Sequence, residues 1–292
     1  MKSKNDTLFQ AVVYVLTALI CLITLYPLIY VLSASFSDPA RILGGDVVLW
    51  PVDVTTNAYR RVFASADILT GYRNTLLYTL FGTSLNMVAT IMAAYPLSLP
   101  DLKGKNIFTF FITFTMFFGA GMIPSYLNLK DLGLLNNPLV VIVPGAISVT
   151  NMLIMRNYFI NSVPAALREA ASIDGASPMA VMMRIVLPLS KSIISVIILD
   201  YMGGHWNSYF NAMMYLRDRK MQPLQVFLRE ILVLTQMGDM EEQTGVDDLG
   251  VYLLYASLKY AIIVVSAVPL LIIYPMVQKF FERGIMMGSL KG

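Results

Sequence analysis

Six stretches of this sequence are each long and apolar enough to cross a lipid bilayer as a helix. A helix needs about 20 predominantly apolar residues to span the hydrocarbon core. The stretches that meet this condition are approximately residues 8–33, 72–98, 106–124, 137–157, 188–206 and 252–279. We therefore predict an all-α membrane protein in which residues 1–292 form a single transmembrane domain with six spans.

The scarcity of charge supports the same fold class. Hydrophobic residues make up 57% of the 292 residues and charged residues only 13%, whereas a soluble domain carries about 25% charged residues. So little charge cannot cover a globular surface, and much of the surface must face lipid. The net charge of +3 is small and scattered, which gives no reason to expect a nucleic-acid partner.

The residue inventory also argues against chemistry performed by this chain. Its single cysteine, Cys21, lies in an apolar run, and its single histidine, His205, has no Cys-x-x-Cys pair to complete a zinc site. The sequence contains no Gly-x-x-x-x-Gly-Lys-Ser/Thr run, so it has no P-loop of its own. We expect no catalytic residue, no metal site and no cofactor bound by this chain.

The N-terminal apolar run and the distribution of basic residues predict the topology. Residues 8–32 exceed the roughly 7–15 residue core of a signal peptide and precede no clear cleavage site, so we interpret them as a retained first span. With the N-terminus inside, the inner segments hold more Lys and Arg than the outer ones. The expectation is a multi-pass plasma-membrane protein with both termini in the cytoplasm.

An inner segment, residues 161–188, carries most of the functional information. Ser162 is a good N-cap residue and Pro164 suits a first turn, which predicts a helix that ends at Gly175 in the C′ position. Ser177 and Pro178 repeat the start signal for a second short helix. The residues expected on the apolar faces are Ala166, Leu167, Ala170 and Ile173 in the first helix, and Met179, Met182, Met183 and Val186 in the second.

Two environments could suit such helices. They could lie on the bilayer surface, as amphipathic helices do. The first helix, however, is rich in alanine and has no Phe or Trp to penetrate lipid. Small residues favour close docking in a protein groove.

The same segment resembles the EAA signature of the permease subunits of ATP-binding-cassette (ABC) importers. The resemblance rests on the spacing of seven residues: Glu169, Ala170, Ala171, Gly175, Ile185, Leu187 and Pro188. It implies the six-span type I importer permease fold, with a coupling helix that sits in a cleft of a cytosolic ATPase. It further implies that Glu169 contacts a basic group, that Ala170 and Ala171 permit close approach, and that Gly175 sets the turn. ATP and Mg would then be bound by two partner ATPase subunits.

Other motifs are similar to those of the maltose-type carbohydrate group. They are the Trp206-Asn207 pair, the ending 288–292, and the runs 94–98, 118–124 and 206–210, which look like the Gram-positive oligosaccharide branch. This resemblance implies import of an oligosaccharide together with a second homologous permease, as a heterodimer, and an extracellular sugar-binding lipoprotein. The long predicted outer loops, 34–71 and 207–251, offer surfaces on which that lipoprotein could dock.

Residues near the end of the fifth stretch are candidates for the substrate pathway. Sugar sites combine aromatic faces with hydrogen-bonding side chains, and the candidates here are Asp200, Tyr201, His205, Trp206, Asn207 and Tyr209. Asp200 could line the pathway or pair with Lys259. For His205 and Trp206 we favour an anchoring role at the outer membrane interface.

Three other functions are alternatives to this one, and the residues disfavour two of them, an ion-coupled carrier and a membrane enzyme. An ABC importer for amino acids, phosphate or another non-sugar solute would share the EAA segment. An ion-coupled secondary carrier would usually have several acidic residues in its spans and two related halves, and only Asp200 is seen here. A membrane enzyme would need a nucleophile–base pair or a metal set.

Overall fold

The computed structural model describes residues 4–242 and 249–289, and these residues are helical with connecting turns. The predicted tail 288–292 lies partly outside this range, as do residues 243–248 of the long loop 207–251. The α-helices are α1 (Lys4–Ser35), α2 (Pro39–Leu43), α3 (Asn57–Ala64), α4 (Ala66–Ser98), α5 (Lys105–Phe117), α6 (Met122–Asp131), α7 (Leu139–Ile142), α8 (Val149–Ser162), α9 (Ala165–Ile173), α10 (Pro178–Val181), α11 (Leu187–Leu189), α12 (Lys191–Trp206), α13 (Phe210–Tyr215), α14 (Leu224–Glu242) and α15 (Leu249–Ser289). A π-helix, Met182–Val186, joins α10 to α11, and a 3₁₀ turn, Arg219–Met221, precedes α14.

Three helical segments are long and apolar enough to cross a membrane: Phe9–Ser35, Ala66–Ser98 and Tyr255–Pro275. Two further candidates are bent pairs. In one, α5 and α6 meet at 115°, and in the other Pro178–Leu189 and α12 meet at 83°. The described residues therefore contain three to five candidate spans by length and composition.

Two predicted spans are interrupted by glycine. In the stretch 106–124, α5 ends at Phe117 and α6 begins after Gly121, whose φ is +84°. In the stretch 137–157, α7 ends at Ile142, Gly145 has a φ of +75°, and α8 begins only at Val149. A left-handed glycine cannot continue an α-helix, so both apolar runs fold as two helices.

The long segments outside the predicted spans contain helices of their own. Segment 34–71 contains α2 and α3, and segment 207–251 contains α13 and the 19-residue α14. The segments that we predicted as long outer loops are therefore partly helical in their described parts. The contacts divide the chain into two units, one built from residues up to 69 with 227–268, and the other from 70–226 with the residues from 269 onward.

The core of the second unit holds the EAA segment in place. Side chains from α4, α8 and α12 pack with those of α10 and the π-helix in one cluster, in which Ala94, Met152, Met155 and Phe159 are fully buried. Val181, Met182 and Val186 join this cluster from the EAA segment. Met179 and Met183, which we predicted on the same apolar face, are 49% and 55% exposed. Val181 packs into the cluster in their place, so the buried side of this segment is rotated from the one that the sequence predicted.

Candidate functional site

Helix α9 ends in a complete Schellman motif centred on Gly175. The amide of Ala176 donates to the carbonyl of Ala171 (2.9 Å), and the amide of Gly175 donates to that of Ser172 (3.1 Å). Gly175 has a φ of +78°, and no atom would lie within 4 Å of an added Cβ. Backbone conformation, and not space, therefore requires glycine here, as the sequence predicted.

The second helix begins as predicted, whereas the first begins differently. Ser177 caps α10, with its hydroxyl accepting from the amide of Ala180 (3.3 Å), and Pro178 occupies the first turn. Ser162, our predicted N-cap of the first helix, is instead the last residue of α8. Pro164 holds the N-cap position of α9, where it makes no side-chain cap. Helix α8 continues through Ser162, the residue that we interpreted as a cap.

The three residues of the EAA triplet point to three different surroundings. Ala171 is half-buried and packs against the core cluster of the second unit. Ala170 is exposed, on a side of α9 where Leu167 is 45% and Ile173 is 86% exposed. Glu169 lines a groove beside the helix. Only part of the triplet is thus presented outward, and Ala171 serves to seat the helix on its own subunit.

Two other residues of the signature also pack against the core of the second unit. Ile185 and Leu187 are half-buried against the core cluster, and Pro188 is exposed. The amide of Leu187 donates to the carbonyl of Met182, which is the i→i−5 bond of a π-helix. The proline ring at position 188 would clash with the carbonyl four residues before it in a regular helix, and the wider turn relieves that clash.

The groove beside α9 has a volume of about 580 Å³. Its walls come from α9, from the end of α4 and the loop that follows it, and from α10. Tyr95 crosses from α4 and donates its hydroxyl to the carbonyl of Pro178 (3.0 Å). The lining residues are Tyr95, Leu99, Pro100, Asp101, Leu102, Ala165, Arg168, Glu169, Ser172, Ala176, Pro178 and Val181.

The groove has an acidic excess. Glu169 and Asp101 contribute two carboxylates, and Arg168 contributes one guanidinium. Arg168 is turned toward the protein, because its Nη2 donates to the carbonyl of Val163 (3.4 Å) and its Nη1 is buried without a hydrogen-bond partner among the described residues. The two acids are therefore the groups best placed to receive a cationic side chain from outside.

The substrate-pathway candidates fall into two groups, and the first is structural. The Tyr201 hydroxyl shares a hydrogen bond with Thr90 Oγ1 (2.7 Å) and accepts one from the amide of Ser148 (3.0 Å). Trp206 is 2% exposed and packs edge-to-face on Tyr72, with ring centroids 6.0 Å apart. Our preferred role for Trp206, an anchor at the membrane interface, is therefore wrong, because its ring is enclosed by protein.

His205 also packs inward. Its Nε2 lies 3.3 Å from Asn86 Oδ1, so the imidazole donates to the amide carbonyl. The ring lies against α4 at Gly82, where an added Cβ would overlap it. His205 thus joins α4 and α12 within the second unit, and its anchoring role at the membrane interface stays a prediction.

The second group has exposed surface. Asp200 is exposed, and its Oδ2 accepts from Asn151 Nδ2 (2.8 Å), so its polar partner is this amide. Lys259, which we considered as a partner for Asp200, lies over the ring of Tyr260 at 5.0 Å. Asn207 is exposed and donates from Nδ2 to the carbonyl of Gly203 (2.9 Å), and Tyr209 is 40% exposed. Asp200, Asn207 and Tyr209 are the candidates that could contact a solute.

A buried polar stripe along α4 was missed by the sequence analysis. It repeats every three or four residues, so all its members lie on one side of the helix. At one end, the hydroxyl of Thr75 accepts a hydrogen bond from the amide of Leu224, and at the other end the hydroxyl of Thr90 shares one with Tyr201. The hydroxyls of Thr79 and Thr83 are buried without a partner among the described residues. The stripe, detectable as polar residues at helical spacing in an apolar run, consists of Thr75, Thr79, Thr83, Asn86 and Thr90.

Comparison with known proteins places this geometry in context. No protein-family model matches the chain. The polygalacturonan/rhamnogalacturonan transport system permease protein YtcP of Bacillus subtilis is 37% identical over 290 residues, which cover 99% of this chain and 100% of the relative. Protein LplC of the same organism is 36% identical over 274 residues, covering 92% and 90%. The arabinooligosaccharides transport system permease protein AraQ of Halalkalibacterium halodurans is 25% identical over 298 residues, covering 100% of each chain.

A solved structure gives the same result. A chain in the crystal structure of a bacterial ABC transporter involved in the import of the acidic polysaccharide alginate matches with a TM-score of 0.84. The two chains are 37% identical, and the match covers 96% of this chain and 99% of the other.

Proposed function

The chain belongs to the permease subunits of ABC importers for sugars and oligosaccharides, and we propose that it forms one half of the pathway for an oligosaccharide that contains uronic acids. Subunits of this family are not catalytic, and ATP is hydrolysed on a partner ATPase. The resemblance found in the EAA segment is confirmed by relatives at 36–37% identity over nearly the full chain. The uronate is suggested by two of the matches, whose names refer to polygalacturonan and alginate.

For the topology we propose six spans in the plasma membrane with both termini in the cytoplasm. The three continuous helices and the two bent pairs account for five of the spans. The sixth would be the stretch 137–157, made of α7 and α8. The excess of Lys and Arg in the predicted inner segments supports the orientation.

The observation that carries the proposed function is the form of the EAA segment. Helix α9 is held to its own subunit by Ala171 and presents Ala170 and Ile173 outward without cover from the described part of the chain. An exposed strip of small and apolar side chains on one face is what helix-in-groove recognition requires. We propose that this strip docks in a cleft of the ATPase while Glu169 and Asp101 receive a basic side chain in the adjoining groove.

The contacts behind α9 explain how docking could move the spans. The hydrogen bond from Tyr95 to Pro178 links the segment to α4, and Ile185 and Leu187 link it to the core of α8 and α12. Such a packed segment moves as a body rather than bending freely. Closure of two ATPase subunits would therefore pull α9 and, with it, the inner ends of these helices.

The family implies the rest of the machinery. We propose a heterodimer with a second homologous permease, two cytosolic ATPase subunits that bind ATP and Mg, and an extracellular sugar-binding lipoprotein. In this assembly Asp200, Asn207 and Tyr209 would meet the solute. Carboxylate and amide groups hydrogen-bond sugar hydroxyls, and a tyrosine ring offers a face for stacking.

Purification of the complex from its native membrane tests the proposal. The tagged chain should recover a second permease and an ATPase, and the reconstituted complex with its binding protein should hydrolyse ATP faster with oligogalacturonates or alginate oligomers than with neutral maltooligosaccharides. Stimulation by neutral oligosaccharides alone would overturn the uronate assignment and leave the importer intact. Recovery of the chain without any ATPase under gentle extraction would contradict the coupling role.

A further inference from the structure

The loop that follows α1 folds back along the end of this helix and is fixed to it. Ser33 donates its hydroxyl to the carbonyl of Leu49 (2.6 Å), and Ser37 accepts from the amide of Val52 (3.0 Å). The backbone adds a hydrogen bond from Asp38 to the carbonyl of Val52 (3.1 Å). Residues 47–55, which we call the return loop, are therefore held in one conformation against α1.

These hydrogen bonds set the height of the return loop relative to the membrane. The candidate span Phe9–Ser35 ends at Ser35. Ser33 lies two residues before that end, which at 1.5 Å per residue is about 3 Å along the axis. Because Leu49 is bonded to Ser33, the neighbouring Trp50 lies level with the last turn of the candidate span.

The return loop places its apolar side chains outward at this level. Trp50 is 81% exposed, Val48 53% and Leu49 45%. Val47, in contrast, is 4% exposed and packs with Ala34 in the core of the first unit. The exposed side chains form a patch on a loop with an ordered core beneath it, and such apolar patches mark contact surfaces.

Three charged side chains of this region bind one another. Arg41 Nε donates to Asp53 (2.7 Å) and its Nη1 to Asp46 (3.2 Å). The hydrogen bonds to Asp53 and Asp46 raise the pKa of Arg41. An apolar tip beside a polar, charged base is the arrangement of a membrane-interface anchor, in which tryptophan is the preferred residue.

We propose that Trp50, with Val48 and Leu49, inserts into the interfacial region of the bilayer beside the end of α1. The patch continues the surface of α1, of which none of the apolar window is buried by the described chain. Since the loop is already ordered, insertion requires little further ordering of the backbone, and it sets the depth of this end of the span. This inference depends on α1 crossing the membrane and not on the solute or the ATPase.

Tryptophan fluorescence of the full chain in lipid nanodiscs tests the anchor. The chain has two tryptophans, and the Trp206→Phe variant leaves Trp50 as the reporter. Its emission should be blue-shifted and quenched more strongly by lipids brominated near the headgroup than by lipids brominated near the bilayer centre, with little quenching by aqueous iodide. If Trp206→Phe does not fold, the difference between the wild type and Trp50→Phe supplies the same signal.

Two results would overturn the inference. Ready quenching by iodide without quenching by brominated lipid would place Trp50 in water. Ready quenching by iodide that is abolished by added binding protein or by the second permease would assign the patch to a protein partner. Trp50→Phe, which keeps buried Trp206, is the matched control and should be insensitive to iodide in every case.

Discussion

Replacement of Gly175 separates backbone conformation from side-chain volume, because the site has a positive φ and open space. Gly175 adopts φ +78° with no neighbour near an added Cβ. A left-handed conformation costs a residue with a Cβ about 1–2 kcal/mol, whereas asparagine adopts it more readily. The expected order of perturbation is therefore Gly175→Ala greater than Gly175→Asn, although asparagine is the larger side chain.

The cost translates into the docking equilibrium. If the alanine variant relaxes its turn in the free permease, the strained turn must be restored when α9 docks. A cost of about 1–2 kcal/mol then weakens ATPase binding by about 5–30-fold. If the turn does not relax, the same free energy appears as lowered stability of the permease.

Two measurements on the same proteoliposomes distinguish these cases. Titration with the ATPase subunit gives the concentration for half-maximal sugar-stimulated hydrolysis, and thermal unfolding gives the stability of the permease. We expect Gly175→Ala either to weaken ATPase binding by about 5–30-fold or to lower the stability of the permease by about 1–2 kcal/mol. Gly175→Asn should have a smaller effect on both quantities. An alanine variant equal to wild type in both, or an asparagine variant worse than alanine, would refute the reasoning.

Three further predictions concern the same unit. Gly82→Ala places a methyl group where the ring of His205 lies and should lower the free energy of unfolding by about 1–3 kcal/mol, as overpacking does. In thermal unfolding, the same change made in a His205→Ala background should cost no further stability. Glu169→Gln should weaken ATPase binding by about 1.5–3 kcal/mol if its carboxylate receives a cationic donor, whereas Asp174→Asn, an exposed change outside the groove, should leave the titration unchanged. Tyr201→Phe removes the acceptor of the half-buried Ser148 amide and the partner of the buried Thr90 hydroxyl, and it should destabilise the permease by about 1–3 kcal/mol. An unfolding midpoint equal to wild type would contradict the hydrogen bonds described.

The features that the sequence predicted correctly are local ones. Gly175 as a left-handed C′ residue and the Ser177-Pro178 start signal depend on a few consecutive residues, and both are present in the structure. The membership in an importer family was also predictable, because seven residues at unusual spacing specify it and the relatives at 36–37% identity confirm it. The roles assigned to individual residues of the signature remain predictions.

The failures concern which side of an element meets protein. Ser162 has the chemistry of a cap but lies inside the last turn of α8. Trp206 is of the residue type that anchors proteins at membrane interfaces, but its ring is buried and packs against Tyr72. Trp50, which the sequence analysis did not single out, is the exposed one. The sequence does not distinguish the exposed tryptophan from the buried one, because residues distant in the chain decide which of them is covered.

The sequence by itself therefore determined the class of molecule: a helical membrane permease with an EAA segment that contains a glycine turn and a proline-led second helix. These properties follow from hydrophobic length and backbone preferences, which act over a few residues. Only the tertiary structure decided that Glu169, Ala170 and Ala171 face a groove, an open side and the core, and that Asp101 joins Glu169 across 68 residues of chain. The rotation of a helix and the contacts between loops that are distant in the chain depend on how neighbouring helices pack. No short pattern in the sequence encodes that packing.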